Sequence, residues 1–309
     1  ILQNRMEKKY FTKKGDVIDF FYLKDFDKLP LVFGNKENFK PFRDRSLAMI
    51  FAKPSARTRV SFETGFEWMG GHALFLGPND IGIGKREAIK DISRLFSRYN
   101  DVIMARLFDH QHIIELAEYS DIPVINGLTD YNHPCQIICD ILTVWEHKGS
   151  LDNLKICYMG DGNNIVHSWL QLASRLPMDF VCCGPEGFEP DLDTVKMVED
   201  STSSSFQLSH DPISAVRDAD VIYTDVWASM GQKEEATERE KVFAPYQVNK
   251  DLINNTGKDT LFMHCLPAER GREVTDEVME SKNSIVFDQA ENRMLAQNAI
   301  MVYLTNNLS

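Results

Sequence analysis

The run Ser46-Leu-Ala-Met-Ile-Phe-Ala52, followed at once by Lys53-Pro54-Ser55-Ala56-Arg57-Thr58-Arg59, sets the fold of the first half of this 309-residue chain. The apolar run predicts a buried strand, and the next apolar residues, Phe62, Phe66 and Met69, keep helical spacing. A strand that passes directly into a helix is the building unit of α/β proteins with parallel sheets. We therefore expect this architecture for the chain.

The same junction predicts an anion site. Ser55 stands at the expected N-cap, and Arg57 and Arg59 lie in the first helical turn. A helix N-terminus carries unpaired N–H groups and partial positive charge, which makes arginines unfavourable there unless an anion joins them. We interpret the motif as a phosphate site, and a solvated basic turn is the alternative.

The composition limits the classes of function. The chain is 43% hydrophobic and 26% charged, as expected for a globular protein of about two domains. Its apolar runs are shorter than the roughly 20 residues that span a bilayer, so we expect no membrane partner. Its net charge of −12 disfavours nucleic-acid binding, because a phosphate backbone would be repelled.

The six cysteines predict neither a disulfide framework nor a metal site. Cys157 and the pair Cys182-Cys183 lie inside apolar runs, as reduced core cysteines do. Cys135 and Cys139 could share one face of a helix, but no second pair completes a zinc pattern.

The first residues bear on the compartment. Glu7, Asp16 and Asp19 are acidic, whereas a transit peptide is poor in acidic residues. We expect a cytoplasmic protein, or one of an organelle matrix if a leader has been removed.

Apolar runs alternate with helical patterns along the chain, which indicates two domains, each a mainly parallel sheet flanked by helices. The predicted strands are 46–52, 72–78, 101–107 and 122–128 in the first half, and 155–160, 179–183, 220–226, 260–265 and 284–288 in the second. A helix from about Pro134 to His147 should bridge the halves. Glu291–Leu304 should form a last helix that packs back on the first domain, and Ser201–Ser205 predicts a loop.

Polar residues gather just after the carboxyl ends of the predicted strands. They are Lys53-Pro-Ser55, Arg106, Asn126-Gly127, Gly160-Asp-Gly162, Asp225 and His264-Cys265. Open parallel sheets bind ligands at that edge. Together these clusters predict an active site between two domains.

The bridging helix opens with Asn132-His133-Pro134-Cys135-Gln136, and proline is common in a first helical turn. His133 and Gln136, three residues apart, would face the same space near the helix N-terminus. His133 could donate a hydrogen bond to a carbonyl oxygen, or it could be a packed histidine.

The stretch Gly160-Asp161-Gly162-Asn163-Asn164 follows a strand and opens a helix, as a dinucleotide-binding turn would. The third glycine of that fingerprint is missing, and the next strand ends Cys182-Cys183-Gly184-Pro185 without the acidic residue that would hold a ribose. An NAD-linked oxidoreductase is therefore the poorer interpretation. A site for the carboxylate of a small substrate is better, although a Gly-rich turn with an asparagine cap explains the glycines equally well.

Two further strand ends carry reactive groups. Asp225, in Asp225-Val-Trp-Ala-Ser229-Met230-Gly231, could accept a charge-assisted hydrogen bond from a cationic amine, or it could simply form a turn. Cys265 precedes Leu266-Pro267 at a strand edge, where a turn can expose a thiol that would be inert if buried.

Four motifs together resemble the ornithine branch of the aspartate/ornithine carbamoyltransferase family. They are Ser55-Ala-Arg-Thr-Arg59, His133-Pro-Cys-Gln136, Asp225-Val-Trp-Ala-Ser-Met-Gly231 and His264-Cys-Leu-Pro267. The resemblance runs from about Phe42 to Leu304. It implies transfer of the carbamoyl group of carbamoyl phosphate to the δ-amine of L-ornithine, without a cofactor, in a homotrimer. It also implies a carbamoyl-phosphate-binding domain of residues 1–148, joined by a C-terminal helix at 290–309, and an ornithine-binding domain of residues 149–289.

The resemblance implies roles for individual residues. Those expected to bind carbamoyl phosphate are Ser55, Ala56, Arg57, Thr58, Arg106, His133, Gln136, Cys265, Leu266 and Arg293. Those expected to bind ornithine are Asn164, Asp225, Ser229 and Met230, and the expected catalytic residues are Arg106, His133, Asp225, Cys265 and Arg293.

The chain departs from the family pattern at three places. Position 56 is Ala where the family usually has Thr or Met, which costs little because the family uses the backbone N–H there. Gly82 has no side chain where the family commonly offers Gln or His to a neighbouring subunit, and the interval 27–42 is too short for the family's long first helix. The alternative functions are transfer to a related amine such as putrescine or acetylornithine, and non-catalytic binding of carbamoyl phosphate.

Overall fold

A computed structural model describes residues 39–84, 86–201, 203–228 and 236–305. Of the interval 27–42, where a departure is expected, residues 27–38 lie outside these ranges, as do the predicted ligands Ser229 and Met230. The described residues form two compact units, one within 1–139 and 293–309 and the other within 140–292.

Nine strands are present in the described part of the chain: β1 Ser46–Phe51, β2 His72–Leu76, β3 Val102–Arg106, β4 Val124–Leu128, β5 Lys155–Met159, β6 Asp179–Cys183, β7 Ser205–Ser209, β8 Val221–Thr224 and β9 Leu261–His264. They form a sheet in the order β2-β1-β3-β4 and a second sheet in the order β7-β6-β5-β8-β9. Every pairing between neighbouring strands is parallel. The predicted α/β class is confirmed.

The longer helices are α1 Ala56–Trp68, α3 Ile89–Tyr99, α4 His110–Glu118, α5 Pro134–Lys148, α6 Asn164–Ala173, α7 Leu192–Glu199, α9 Ala236–Phe243 and α12 Val286–Thr305. The short helices are α2 Pro78–Ile81, α8 Pro212–Ala215, α10 Lys250–Asn254 and α11 Asp276–Met279, and Ala244–Tyr246 is a 3-10 turn. No described helix is both long and apolar enough to cross a membrane.

Alternation along β1 explains how the first sheet is covered on both faces. Leu47 and Met49 pack with Phe62 and Phe66 of α1 and with α12, whereas Ile50 packs on the opposite side with α3 and α4. Because both faces are buried, the strand reads as a continuous apolar run. The packing of α12 in this core confirms that the last helix returns to the first domain.

The second sheet has an apolar face and an aromatic face. Cys157, Ile222 and Phe262 belong to one buried cluster. On the neighbouring strand positions, the rings of Tyr158 and Tyr223 stack with centroids 5.9 Å apart. The strands β5, β8 and β9 are therefore buried on both faces up to their carboxyl ends.

Two sequence predictions are wrong, and both concern short segments. Residues 284–288 do not form a strand: Ser284 makes one isolated bridge to Phe262, and α12 begins at Val286. A short apolar run cannot by itself distinguish strand from helix. The stretch 201–205 is not wholly a loop, because Ser205 begins the edge strand β7, whose backbone pairs with β6 despite its polar sequence.

Candidate active site

The N-terminus of α1 lies directly beyond β1, as the sequence predicts. Ser55 is the N-cap in extended conformation, and its hydroxyl oxygen accepts a hydrogen bond from the Thr58 N–H at 3.3 Å. The first turn of α1 contains no acidic residue. The positive end of this helix is therefore not compensated by a carboxylate of its own first turn.

Two buried arginines converge on the hydroxyl of Thr58. Arg293 Nη2 lies 2.7 Å from Thr58 Oγ1 and Arg106 Nη1 lies 3.5 Å from it, and both side chains are less than a tenth exposed. Removing two guanidinium ions from water is costly unless anions or good acceptors compensate them. Two buried cations at one hydroxyl, beside a helix N-terminus, favour an anionic ligand.

His133 completes this cluster. Arg293 Nη2 lies 3.1 Å from His133 Nε2. Because a guanidinium can only donate, Nε2 is the acceptor, and the neutral ring carries its proton on Nδ1. Burial, followed by the charges of Arg293 and Arg106, lowers the pKa of His133 well below its usual value. His133 is thus a neutral hydrogen-bonding group rather than a cation.

Gln136 lies in the first turn of α5, near His133, and is buried. Its neighbour Cys135 donates its thiol hydrogen to the carbonyl oxygen of Asn126 at 3.3 Å. Burial raises the pKa of Cys135 to about 12. Cys135 is therefore an inert structural thiol, and Gln136 is the residue of this turn suited to meet a ligand.

The two arginines in the first turn of α1, Arg57 and Arg59, have different surroundings. Arg57 is exposed at the helix N-terminus, whereas Arg59 forms an ion pair with Glu63 at 3.1 Å and lies over the ring of Phe75. The expectation that both would serve the anion site is therefore wrong for Arg59. The i,i+4 spacing to a glutamate predicts this pairing and outweighs the attraction of the helix end.

A second polar cluster lies at the carboxyl edge of the other sheet. Asn163 caps α6, and its side-chain oxygen accepts from the N–H groups of Ile165 and Val166 at 2.9 and 3.4 Å. Its amide nitrogen lies 3.4 Å from Asp225 Oδ2. Because Asn163 occupies two N–H groups of the first turn, α6 is poorly suited to hold a pyrophosphate. This disfavours the NAD interpretation.

Asp225 follows β8, and its Oδ1 accepts from the Val226 N–H at 2.8 Å. The donor atoms of Asp225, His264 and Cys265 all lie within 4.8 Å of one another. Cys265 is half-buried, whereas the other five cysteines are buried. A carboxylate and an accessible thiol therefore share the edge at which a ligand would bind.

His264 holds the backbone next to Cys265. Its Nδ1 accepts from the Leu266 N–H at 2.9 Å, which leaves Nε2 to donate to Glu273 Oε1 at 3.2 Å. Leu266 has φ of 59°, a left-handed conformation that is rare for residues other than glycine. Since both ring nitrogens are engaged, His264 could bind a metal ion only by giving up one of these bonds.

The structure brings Ser55, Thr58, Arg106, His133 and Arg293 together through hydrogen bonds in one unit. Asn164, Asp225, Cys265 and Leu266 belong to the other unit. Sequence reasoning missed Asn163 as a contact of Asp225, and it missed Glu273 as a partner of His264. Glu273 lies in the charged run Glu269-Arg-Gly-Arg-Glu273, where the sequence carries no signal of burial.

Two protein-family models match this chain, one in each half. A family model described as aspartate/ornithine carbamoyltransferase, carbamoyl-P binding domain, matches residues 23–146. A second, described as aspartate/ornithine carbamoyltransferase, Asp/Orn binding domain, matches residues 152–304.

Individual relatives are similar over most of their length. Chloroplastic ornithine carbamoyltransferase of Pisum sativum is 56% identical over 93% of this chain and 80% of its own. The anabolic ornithine carbamoyltransferase of Pyrococcus furiosus is 52% identical over 87% of each chain. The solved structure of ornithine carbamoyltransferase from Pyrococcus furiosus matches with a TM-score of 0.88 and 47% identity over 96% of each chain. That from Burkholderia thailandensis matches with a TM-score of 0.86 and 38% identity over 96% of this chain and 98% of its own.

The lowered pKa of His133 predicts a pH dependence of stability. Below pH 6.5 the unfolded chain binds a proton at this residue and the folded chain does not, so the free energy of unfolding falls as the solution is acidified. The slope from this residue is at most about 1.4 kcal/mol per pH unit. Denaturant unfolding of the wild type and of His133→Gln between pH 5 and 8 measures it. The variant should show the flatter curve below pH 6.5, and equal slopes would contradict the assignment.

Proposed function

This chain belongs to the aspartate/ornithine carbamoyltransferase family, and we propose that it transfers the carbamoyl group of carbamoyl phosphate to the δ-amine of L-ornithine, giving L-citrulline and phosphate. Relatives named ornithine carbamoyltransferase, identical at about half of their positions, support this choice of substrates. The single observation that carries the proposal is the pair of buried arginines at Thr58, beside a helix N-terminus.

The phosphate of carbamoyl phosphate would bind at the start of α1. The backbone N–H groups there, from Ser55 to Arg57, would supply uncharged donors along the positive end of the helix, whereas that of Thr58 donates to the Ser55 hydroxyl. Arg57 and Arg106 would add charge-assisted hydrogen bonds, which guanidinium groups can make in pairs to phosphate oxygens. These donors also stabilise the phosphate that departs at the end of the reaction.

The carbamoyl group would lie against the neighbouring cluster. Arg106, Arg293 and His133 would donate to its carbonyl oxygen, and Gln136 would orient its amide. When the amine attacks, negative charge grows on that oxygen, and donors that are already in place stabilise it without reorganising. Losing one such donor typically costs about 3–4 kcal/mol of barrier.

The amino-acid end of ornithine would lie at the edge of the second sheet. Asn164, Asp225, Ser229 and Met230 are the proposed ligands, with the Asp225 carboxylate accepting from the α-ammonium group. Cys265 and the Leu266 backbone would flank the δ-amine. An alkyl amine with a pKa near 10.4 is mostly protonated at neutral pH, so this edge must favour its neutral, nucleophilic form.

The reaction then needs no electron carrier. The neutral δ-nitrogen forms a bond to the carbamoyl carbon, and the resulting tetrahedral species expels phosphate as the C–O bond breaks. The nitrogen loses its extra proton, and Cys265, which would flank the δ-amine, is within 4.8 Å of the titratable groups of Asp225 and His264. The products are citrulline and inorganic phosphate.

The alternatives differ in the amine. Putrescine has no α-ammonium group, and in acetylornithine that nitrogen is acylated, so neither would use Asp225 as ornithine does. Non-catalytic binding would retain only the α1 site.

The backbone at Gly82, one of the departures from the family pattern, is left-handed with φ of 59°, which explains a glycine there on local grounds.

Citrulline formation and its dependence on Asp225 test the proposal. The purified chain should form citrulline from carbamoyl phosphate and ornithine with no metal added. Asp225→Asn should lower kcat/KM for ornithine at least tenfold, because a charge-assisted bond is lost, and should change kcat/KM for putrescine, if that amine is turned over, less than threefold. Turnover with another amine but not with ornithine would refute the substrate, and carbamoyl-phosphate binding without turnover would refute the enzyme.

We also propose that the chain forms a homotrimer, with the exposed apolar surface of α1 and β2 at its interface. Val60 is 60% exposed, Trp68 38%, Leu74 43% and Phe75 36%. Strand β2 is an edge strand of its sheet, and apolar edge strands need cover to avoid uncontrolled pairing. Another copy of the chain would supply that cover.

Light scattering coupled to gel filtration tests the assembly. The wild type should have three times the 35.4 kDa mass of one chain. The variant Val60→Lys/Leu74→Lys should dissociate, since it places two charges on the apolar surface. Leu192→Lys alters a side chain that is 73% exposed in the other unit, and it should leave the mass unchanged. A wild-type monomer, or an unaltered double variant, would contradict the proposal.

We place the protein in the cytoplasm or in an organelle matrix. The similarity to a relative named chloroplastic supports the second location.

A further inference from the structure

Three buried side chains form a polar network behind the end of β9. Gln289 Nε2 donates to Asp140 Oδ1 at 2.7 Å and to the Tyr223 hydroxyl at 3.2 Å. The Tyr223 hydroxyl donates to Asp140 Oδ2 at 2.8 Å. None of the three residues is more than 1% exposed. Every bond in the network thus forms away from solvent.

The network fixes the orientation of the Gln289 amide. A carboxylate can only accept hydrogen bonds, so the NH₂ group of Gln289 must face Asp140, and its carbonyl oxygen must face the other way. That oxygen accepts from the backbone N–H of His264 at 3.0 Å. The last residue of β9 is therefore held by an acceptor that cannot rotate away without breaking the network.

We propose that Gln289 is a positioning residue: oriented by Asp140 and Tyr223, it holds the end of β9 and thereby sets the thiol of Cys265 and the Leu266 backbone for the amine substrate. This inference rests on the proposed carbamoyl transfer. Gln289 acts through the backbone of His264 and does not itself meet the substrate.

The residues on both sides of Cys265 are anchored. His264 is held at its N–H by Gln289, and Leu266 is held at its N–H by the His264 ring at 2.9 Å. The ring is in turn fixed by Glu273 at 3.2 Å. Cys265, whose thiol is half-buried, therefore lies between two backbone N–H groups with defined acceptors.

The energetics favour a positioning role over a purely stabilising one. Burying a carboxylate, a phenol and an amide together costs desolvation free energy, which their mutual hydrogen bonds repay only in part. An apolar side chain of similar size at position 289 would remove only the amide's share of that cost, and it would take one donor from Asp140 and one from Tyr223. It would not provide an acceptor for His264.

The test compares Gln289→Leu with Gln297→Leu. Gln297 lies on the same helix and is equally buried, and its amide atoms have no hydrogen-bond partner among the described residues, so it is a matched control. Gln289→Leu should lower kcat for citrulline formation about 10- to 100-fold, the order expected for a small misplacement of reacting groups. Gln297→Leu should retain kcat.

A second measurement, the alkylation rate of the Cys265 thiol, reports the position of Cys265 independently of catalysis. Iodoacetamide should alkylate Cys265 first, because the other five cysteines are buried. Release of the strand end should make this labelling at least threefold faster in Gln289→Leu, while Gln297→Leu should match the wild type. If the wild type makes no citrulline, the proposed function fails, and the labelling rates still decide whether Gln289 positions Cys265.

The milder variant Tyr223→Phe tests the inference if Gln289→Leu does not fold. It removes one donor to Asp140 while preserving the ring, so it should shift kcat and labelling in the same direction by a smaller factor. In the double variant with Gln289→Leu, the two effects should not add, because both act through one network. Unchanged kcat and labelling in Gln289→Leu, or in Tyr223→Phe if the former does not fold, would overturn the inference.

Discussion

The structure of the first unit depends on one electrostatic constraint: Arg106 and Arg293 are both buried, and both point to the hydroxyl of Thr58. The strand β3 delivers the first arginine and the helix α12 delivers the second, so that elements distant in sequence must meet at the start of α1. Two cations this close together repel each other, and an anion bound beside them would offset that repulsion. The fold itself thus positions the two cations that would bind an anion.

The neutral state of His133 follows from the same constraint. Two neighbouring cations and burial oppose a third positive charge, so that the imidazole acts as a hydrogen-bonding group of fixed tautomer. The second unit is organised differently. Its helix α6 is capped by its own Asn163, and its edge presents a carboxylate and a thiol. One unit is therefore suited to a phosphate and the other to an amine.

Much of the fold and of the candidate site could be predicted from the sequence, because short stretches of neighbouring residues indicate them. The apolar run before Ser55 identified β1, and the residues that follow strand ends identified the polar edges of both sheets. Local signals also caused the errors. The run at 284–288 reads as a strand, yet tertiary packing of Val286 makes it the start of α12. Arg59 reads as an anion ligand, yet Glu63 and Phe75 attract it elsewhere.

The contacts that could not be predicted from the sequence join residues far apart in the chain. The meeting of Arg293 with Thr58 joins residues separated by 235 positions, and no periodicity encodes it. The burial of Glu273 and Gln289 is equally invisible, since both lie in segments that read as polar surface. Only family resemblance pointed to Arg293, and nothing in the sequence pointed to the other two.

The most direct test of the account is a crystal structure with a phosphonoacetyl derivative of ornithine, a stable mimic that unites both substrates. The account predicts that the phosphonate lies at the N-terminus of α1, within hydrogen-bonding distance of Thr58 and Arg106, with the carbonyl oxygen beside His133 and Arg293. A mimic bound away from Arg106 and His133 would contradict it.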